Sequence, residues 1–226
     1  MKIEIYSDYA CPFCYIGEKR LEKALAAIPD ADKIEVVFKS FELDPTASKN
    51  VVSNTVDRFA EKYGLSKTEA ADRIEQISLM GRREGIDFKY ATTQYTNTFD
   101  ALRLTKFAQD KGHTEIIGKL FDAYFTKNLE LADFDVLKKI AAECGLDSNE
   151  VAEVLNSDKY AAEVRADERE AAMLGIHGVP FFIIGEKYTL SGAQPTQIIK
   201  QAIEDYISET ALDGMTCGPN GCRFDG

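Results

Sequence analysis

The sequence predicts an α/β fold in which one mixed sheet is built from both ends of the chain, with a large helical block inserted between them. Residues 2–7 alternate as a strand, residues 12–28 follow a helical pattern, and residues 34–42 are β-branched and aromatic. Together they form a βαβ unit whose two strands should be parallel. Near the other end, VPFFIIG and EKYTLSG indicate a hairpin, and a helix follows from Pro195. The chain therefore closes with a ββα unit.

The middle of the chain is rich in Ala, Glu, Lys, Asp and Leu at helical spacing. Helices are predicted near 52–63, 66–83, 97–111, 113–127, 133–144, 147–155 and 158–174, and residues 86–96 are predicted to be extended. We divide the chain into a discontinuous α/β domain of residues 1–45 and 176–211, a helical insertion domain of residues 46–175, and a C-terminal tail of residues 212–226.

Composition and charge exclude several functions. The chain has 226 residues, is 45% hydrophobic and carries a net charge of −11. It shows no Lys/Arg stripe with interleaved aromatics, which argues against nucleic acid as a partner. No apolar run approaches the roughly 18 residues of a membrane span, and the opening residues lack the apolar segment of a signal peptide. We therefore expect a cytoplasmic protein with no membrane partner, either a monomer or a homodimer.

The most informative motif is CPFC, in which Cys11 and Cys14 flank Pro12 and Phe13. Proline favours the first position inside a helix, so Cys11 should be the N-cap residue. Its sulfur then lies near unpaired backbone N–H groups and the positive end of the helix dipole, which favour the thiolate. Cys14 lies one turn further along, on the apolar face. We predict that Cys11 is the exposed nucleophile and that Cys14 is the sheltered, resolving cysteine.

Two other interpretations of CPFC remain open on the residues alone. A CxxC pair is also half of a zinc site, but zinc takes four ligands and the chain has only two histidines. The two cysteines could also be plain core residues. A redox centre is favoured because the CxxC lies at a helix start, directly after an N-terminal strand; a static disulfide is disfavoured in a reducing compartment. We predict no metal site, and we interpret Cys144 as a small buried residue.

A second cysteine pair lies in the tail, where CGPNGC separates Cys217 from Cys222. Gly-Pro-Asn-Gly is a turn sequence, so the two cysteines should come close enough for a disulfide. The tail should be flexible unless something holds it. The pair could be a second redox centre, a structural clip or two incidental thiols.

The chain resembles the DsbA branch of the thioredoxin superfamily over essentially its whole length. The resemblance rests on a strand followed by CPFC at a helix start, with GVPFFI about 160 residues later. CPFCYIG and NTFDALRL are most similar to FrnE-type disulfide oxidoreductases and isomerases, whose relatives include 2-hydroxychromene-2-carboxylate isomerases and kappa-class glutathione transferases. The resemblance implies a thioredoxin-like fold. The sequence departs from the family at Leu102, where a histidine is usual.

The resemblance also implies roles for individual residues. Pro180 matches the family's cis-proline, which faces the cysteine pair, and the backbone of Val179 would pair with an extended substrate. Pro12 and Phe13 would contribute to the same substrate-binding surface. FrnE-type proteins carry a C-terminal CxxxxC, and this favours a second redox pair at Cys217 and Cys222 over the alternatives.

These observations predict a cytoplasmic thiol–disulfide oxidoreductase or protein disulfide isomerase that acts on protein thiols and disulfides. No bound cofactor is expected, and glutathione or a thioredoxin-type reductant is the candidate redox partner. One alternative is a glutathione-dependent isomerase or transferase, but those relatives generally carry serine where Cys11 stands. The other alternative is a redox-linked chaperone. The direction of electron flow is left open.

Overall fold

The fold is built on a four-stranded mixed sheet. The computed structural model describes the backbone of residues 1–213, 215–218 and 221–224 and the side chains of residues 1–210. The strands of this sheet are β1 (Lys2–Ser7), β2 (Glu35–Ser40), β3 (Phe181–Ile184) and β4 (Tyr188–Ser191). Their order is β2-β1-β3-β4, with β1 and β2 parallel and the other two pairings antiparallel. The predicted α/β fold with a mixed sheet is confirmed.

The helices follow the predicted order. They are α1 (Pro12–Ala26), α2 (Thr55–Tyr63), α3 (Lys67–Arg83), α4 (Phe99–Asp110), α5 (Ile116–Phe125), α6 (Phe134–Glu143), α7 (Ser148–Leu155), α8 (Ala161–Met173) and α9 (Thr196–Asp213). Most begin one to three residues later than the sequence suggests. The residue that caps a helix lies outside it, which accounts for one residue of each difference. The segment predicted to be extended contains a 3₁₀ turn at Tyr90–Thr92.

Helices cover both faces of the sheet. On one face, α1 and α9 bury the apolar residues of β1 and β3 in a cluster formed by Ile3, Ile5, Leu21, Ala24, Phe182, Ile184, Ile199 and Ile203. On the other face, Tyr6 packs against Ala171 of α8 and Ile176. The sheet is therefore a buried layer between helices, as an α/β architecture requires.

An aromatic cluster joins α1 to the helical block. Tyr15 of α1 stacks on Phe121 of α5 with ring centroids 5.2 Å apart, and Phe88 stacks on Phe125 at 4.8 Å. Tyr9, in the loop before α1, packs edge-on against Phe121 at 4.8 Å. The start of α1 is therefore fixed between the sheet and the helical block. Within the described residues, no helix is long and apolar enough to cross a bilayer.

A second, two-stranded sheet lies in the tail. β5 (Met215–Gly218) pairs antiparallel with β6 (Gly221–Phe224). The backbone register places Cys217 directly opposite Cys222. The side chains of both cysteines, and the predicted turn residues 219–220, lie outside the described part of the chain.

Candidate active site

The CPFC segment forms the N-terminus of α1. Pro12 is the first helical residue, and Cys11 is the N-cap with an extended backbone, at φ −91° and ψ 114°. The Cys11 N–H donates to the Asp8 carbonyl oxygen at 3.0 Å, and the Cys14 N–H donates to the Cys11 carbonyl oxygen at 3.1 Å. Proline is tolerated here because the first N–H of a helix has no partner within the helix. The predicted helix start is confirmed.

Cys11 is far less exposed than predicted. Only 4% of it is accessible to solvent, and its thiol donates to the Val179 carbonyl oxygen at 3.5 Å. The prediction of an exposed thiol is wrong because the loop before β3 packs over the start of α1. Cys11 nevertheless lines a cavity of about 570 Å³, with the 37% exposed Phe13 among the other lining residues. A substrate would reach the sulfur through this cavity.

Cys14 is buried beneath Cys11. Burial raises the pKa of the Cys14 thiol well above its ordinary value, and the hydrogen bond and charge of Cys11 raise it further. Hydrogen bonds from the Ser7 side chain and the Asp8 backbone oppose this rise without cancelling it. The Cys14 sulfur therefore holds its proton at neutral pH.

The loop before β3 closes over the cysteines. The Val179–Pro180 peptide bond is cis. Gly17 of α1 faces this loop, and a Cβ added there would lie 3.0 Å from Pro180 Cγ and 3.2 Å from Phe182 Cζ. The absence of a side chain at Gly17 therefore lets α1 approach the loop closely. This approach places the Val179 carbonyl against the Cys11 sulfur.

Asp8 is a buried acid that the sequence analysis missed. Its Oδ1 accepts hydrogen bonds from the Ala10 N–H at 3.1 Å and the Thr98 hydroxyl at 2.8 Å, and its Oδ2 accepts from the Leu43 N–H at 2.7 Å. Burial raises the pKa of Asp8 although these three bonds oppose the rise. The carboxyl group links the loop before α1 to the loop after β2 and to the helical block.

Glu18 is a second acid that the sequence analysis missed. It shares a cavity of about 450 Å³ with Ser7 and Cys14, on the side of α1 that faces α5. Its Oε2 is shielded and has no hydrogen-bond partner among the described residues. Burial raises the pKa of Glu18 to about 8. Only its spacing of four residues from Cys14 could have suggested that it lies on the same face of the helix.

Several other predicted residues are placed by the structure. Pro12 lines the cavity beside Cys11 together with Val179. Leu102 is fully buried in the core. Cys144 is 6% exposed at the end of α6, and burial raises its pKa. Among the described residues, no group of three or more His, Cys, Asp or Glu side chains is arranged to hold a metal ion.

Comparisons with known proteins cover nearly the whole chain. Residues 2–204 match the model of the DSBA-like thioredoxin domain. A probable DsbA oxidoreductase from Streptomyces coelicolor is 39% identical, with all of both chains covered and a TM-score of 0.87. The uncharacterized protein YwbO from Bacillus subtilis is 29% identical and covers 90% of this chain and 96% of its own.

More distant solved structures share the fold. A 2-hydroxychromene-2-carboxylate isomerase is 14% identical, covers 94% of this chain and 98% of its own, and has a TM-score of 0.70. The cytosolic disulfide reductase DsbM from Pseudomonas aeruginosa is 15% identical, covers 94% of this chain and 99% of its own, and has a TM-score of 0.59. DsbM has also been solved with GSH.

Proposed function

Because the chain belongs to the DsbA-like thioredoxin domain family, we propose that it is a cytoplasmic thiol–disulfide oxidoreductase, with disulfide isomerase activity, that acts through Cys11 and Cys14. The observation that carries this proposal is the arrangement of the two thiols. Cys11 lies at the N-terminus of α1, at the wall of a cavity, and a protonated Cys14 lies beneath it. This is the arrangement that sequential disulfide exchange needs.

The reaction proceeds through a mixed disulfide. The Cys11 thiolate attacks one sulfur of a substrate disulfide, the substrate S–S bond breaks, and the released substrate thiolate takes a proton. Cys14 then gives up its proton and attacks the Cys11 sulfur, which releases the second substrate thiol. The substrate has gained two electrons, and Cys11 and Cys14 have become a disulfide. The reverse sequence oxidises a dithiol. Isomerisation occurs when another thiolate of the substrate attacks the substrate sulfur of the mixed disulfide before Cys14 reacts, which forms a new substrate disulfide and releases the Cys11 thiolate.

The wall around Cys11 suits an extended substrate. The Val179 carbonyl accepts from the Cys11 thiol, and we infer that it can pair with an extended peptide once Cys11 has lost this proton. We assign Val179, Pro12 and Phe13 to substrate binding because they line the cavity at Cys11, and we add Pro180, which follows Val179 in the chain. The half-exposed ring of Phe13 offers apolar contact without adding charge beside the thiol.

The tail supplies a second redox pair in this proposal. Residues directly opposite each other in antiparallel strands have Cα atoms about 4.5–5.5 Å apart, which falls within the range of disulfides. The register of β5 and β6 therefore suits a Cys217–Cys222 disulfide. As a dithiol, this pair would reduce the Cys11–Cys14 disulfide and become oxidised itself. Two molecules of glutathione would then reduce it, a choice of reductant supported by the fact that DsbM, which shares the fold, has been solved with GSH.

A trapping experiment tests the assignment of the two cysteines. The Cys14→Ser variant, with Cys217 and Cys222 also changed to serine, is mixed with a peptide that contains one intramolecular disulfide. Mass spectrometry is expected to find the peptide bound to Cys11, in an adduct that dithiothreitol releases. If the adduct forms equally well in a variant that also carries Cys11→Ser, the proposal is contradicted. Restoring Cys217 and Cys222 should reduce the adduct if the tail pair exchanges with Cys11.

A further inference from the structure

The cavity beside Cys11 is positively charged although the protein is acidic. Its described lining includes Arg58 of α2, Lys62 of α2 and Arg73 of α3, and no aspartate or glutamate. The chain as a whole carries a net charge of −11. Cations gathered in a concave site raise the local concentration of anions far more than the same charges do on a flat surface. The cavity therefore favours a negatively charged occupant.

Arg58 is held in a fixed orientation at this wall. Its guanidinium carbon lies 3.7 Å from the centroid of the Tyr95 ring, a stacking distance that holds the guanidinium against the ring. Burial raises the pKa of Tyr90 and of Tyr124, and the charge of Arg58 partly opposes that rise. The charge of Arg58 therefore influences the buried tyrosines near the cavity.

The donors of Arg58 lack partners. Its Nε and one terminal nitrogen, Nη2, are shielded from solvent and form no hydrogen bond with any described residue. By contrast, four other arginines pair with carboxylates: Arg20, Arg82, Arg103 and Arg165. No described carboxylate therefore neutralises Arg58, and its positive charge can attract an anion in the cavity.

The acid beside the cavity does not fill this role. Asp44 accepts from the Thr46 hydroxyl at 2.7 Å and from the Tyr95 hydroxyl at 3.2 Å, and it forms no ion pair with Arg58 among the described side chains. Its acceptor sites face the turn that begins at residue 44 and the tip of the Tyr95 ring. The shielded edge of Arg58 is left for an acceptor from outside the described chain.

We propose that Arg58 binds a carboxylate of the disulfide substrate and so selects substrates that carry a carboxylate close to the reacting sulfur. This inference rests on the proposed function and names its substrate class. A guanidinium matches a carboxylate with two parallel hydrogen bonds, and Lys62 and Arg73 add longer-range attraction. A mixed disulfide between glutathione and a protein, and a peptide disulfide near a C-terminus, both carry this chemistry.

Binding of unreactive ligands tests the inference without requiring redox activity. The probes are S-methylglutathione, its form with the glycine carboxylate converted to an amide, and an S-methylcysteine peptide ending in a carboxylate or an amide. Calorimetry at low salt should show at least one carboxylate form binding about 10- to 100-fold more tightly than its amide. If only S-methylglutathione binds more tightly than its amide, the ligand is a small thiol. If only the peptide carboxylate binds more tightly than the peptide amide, the ligand is a peptide terminus.

Matched variants assign the preference to Arg58. In Arg58→Gln the carboxylate and amide forms should bind within about threefold of each other, since the paired donors are gone. Arg58→Lys should keep only part of the preference, because an ammonium cannot form the two parallel bonds. Arg83→Gln removes the same charge from an exposed site on α3 that does not line the cavity, and it should keep the whole preference.

The outcomes separate this inference from the proposed function. A wild-type protein that binds acid and amide equally, or an Arg58→Gln variant that keeps the full preference, would overturn the role of Arg58. Reduction of the neutral 2-hydroxyethyl disulfide is measured in parallel. Arg83→Gln should keep wild-type turnover of this substrate, and an unchanged circular dichroism spectrum shows that Arg58→Gln is folded. Failure of the wild type to reduce this disulfide would count against the proposed function, while the binding data alone would decide the role of Arg58.

Discussion

The Cys11→Ser variant is expected to reduce insulin disulfides at least about 100-fold more slowly than the wild type, because the nucleophile of the exchange is gone. Insulin reduction in the presence of glutathione is followed by the turbidity of the released chains. Cys14 cannot substitute for Cys11, since it is 1% exposed and burial raises its pKa well above the ordinary value. Its sulfur therefore stays protonated and does not line the cavity at which Cys11 lies.

Cys144 provides the matched control for this experiment. It is another buried thiol, 6% exposed, at the end of α6. Cys144→Ser makes the same chemical change without touching the wall around Cys11, and it should keep activity within about twofold of the wild type. Full activity in Cys11→Ser, or an equal loss in both variants, would refute the role given to Cys11.

Asp8→Ala is expected to lower the free energy of unfolding by about 3 kcal/mol, because it leaves three donors without an acceptor. The donors are the N–H groups of Ala10 and Leu43 and the hydroxyl of Thr98, and Asp8 itself is 1% exposed. Urea denaturation followed by circular dichroism measures the loss, since the chain has no tryptophan. A loss under about 1 kcal/mol would show that the three bonds do not hold the loops together.

Asp8→Asn separates hydrogen bonding from charge. The amide keeps the shape and one acceptor oxygen, so its cost should be smaller than that of alanine. Burial raises the pKa of Asp8 in the folded protein above that in the unfolded chain. The free energy of unfolding of the wild type therefore falls as the pH rises through the pKa of the folded protein, whereas asparagine does not titrate and contributes no such fall. The stability difference between wild type and Asp8→Asn should therefore narrow from pH 4 to pH 7.

The backbone of Asp8 also supports the two cysteines of the candidate active site. Its backbone carbonyl accepts from the Cys11 N–H at 3.0 Å, and its backbone supports the Cys14 sulfur. Alanine keeps these backbone groups but removes the bonds that fix the loop. The variant is therefore expected to lose stability more than it loses the reactivity of Cys11.

Local features of the fold could be predicted from the sequence. The alternation in residues 2–7 matches β1 (Lys2–Ser7) without error, and Pro12 places the first residue of α1 correctly. Both depend on neighbouring residues alone, since strand alternation and the preference of proline for a helix start are local effects. The order of the elements followed from the same local patterns.

Features of the site that depend on distant contacts could not be predicted. The burial of Cys11 comes from Val179, which is 168 residues away. The shielding of Arg58 depends on its stacking against Tyr95, and that of Glu18 depends on α5, where a Cβ on Gly118 would lie 3.6 Å from Glu18 Oε1. In the sequence, both charged residues look like ordinary members of solvated helix faces.

The most direct test of the CPFC redox centre is a redox titration of the wild-type protein with thiol trapping. The protein is equilibrated across a series of glutathione ratios, alkylated and digested, and the linked peptides are identified by mass spectrometry. We predict that Cys11 and Cys14 become protected together as one disulfide, with a tenfold change in the equilibrium ratio per roughly 30 mV, as a two-electron couple requires. Cys11 and Cys14 that stay alkylated as free thiols at every ratio would contradict the proposed mechanism.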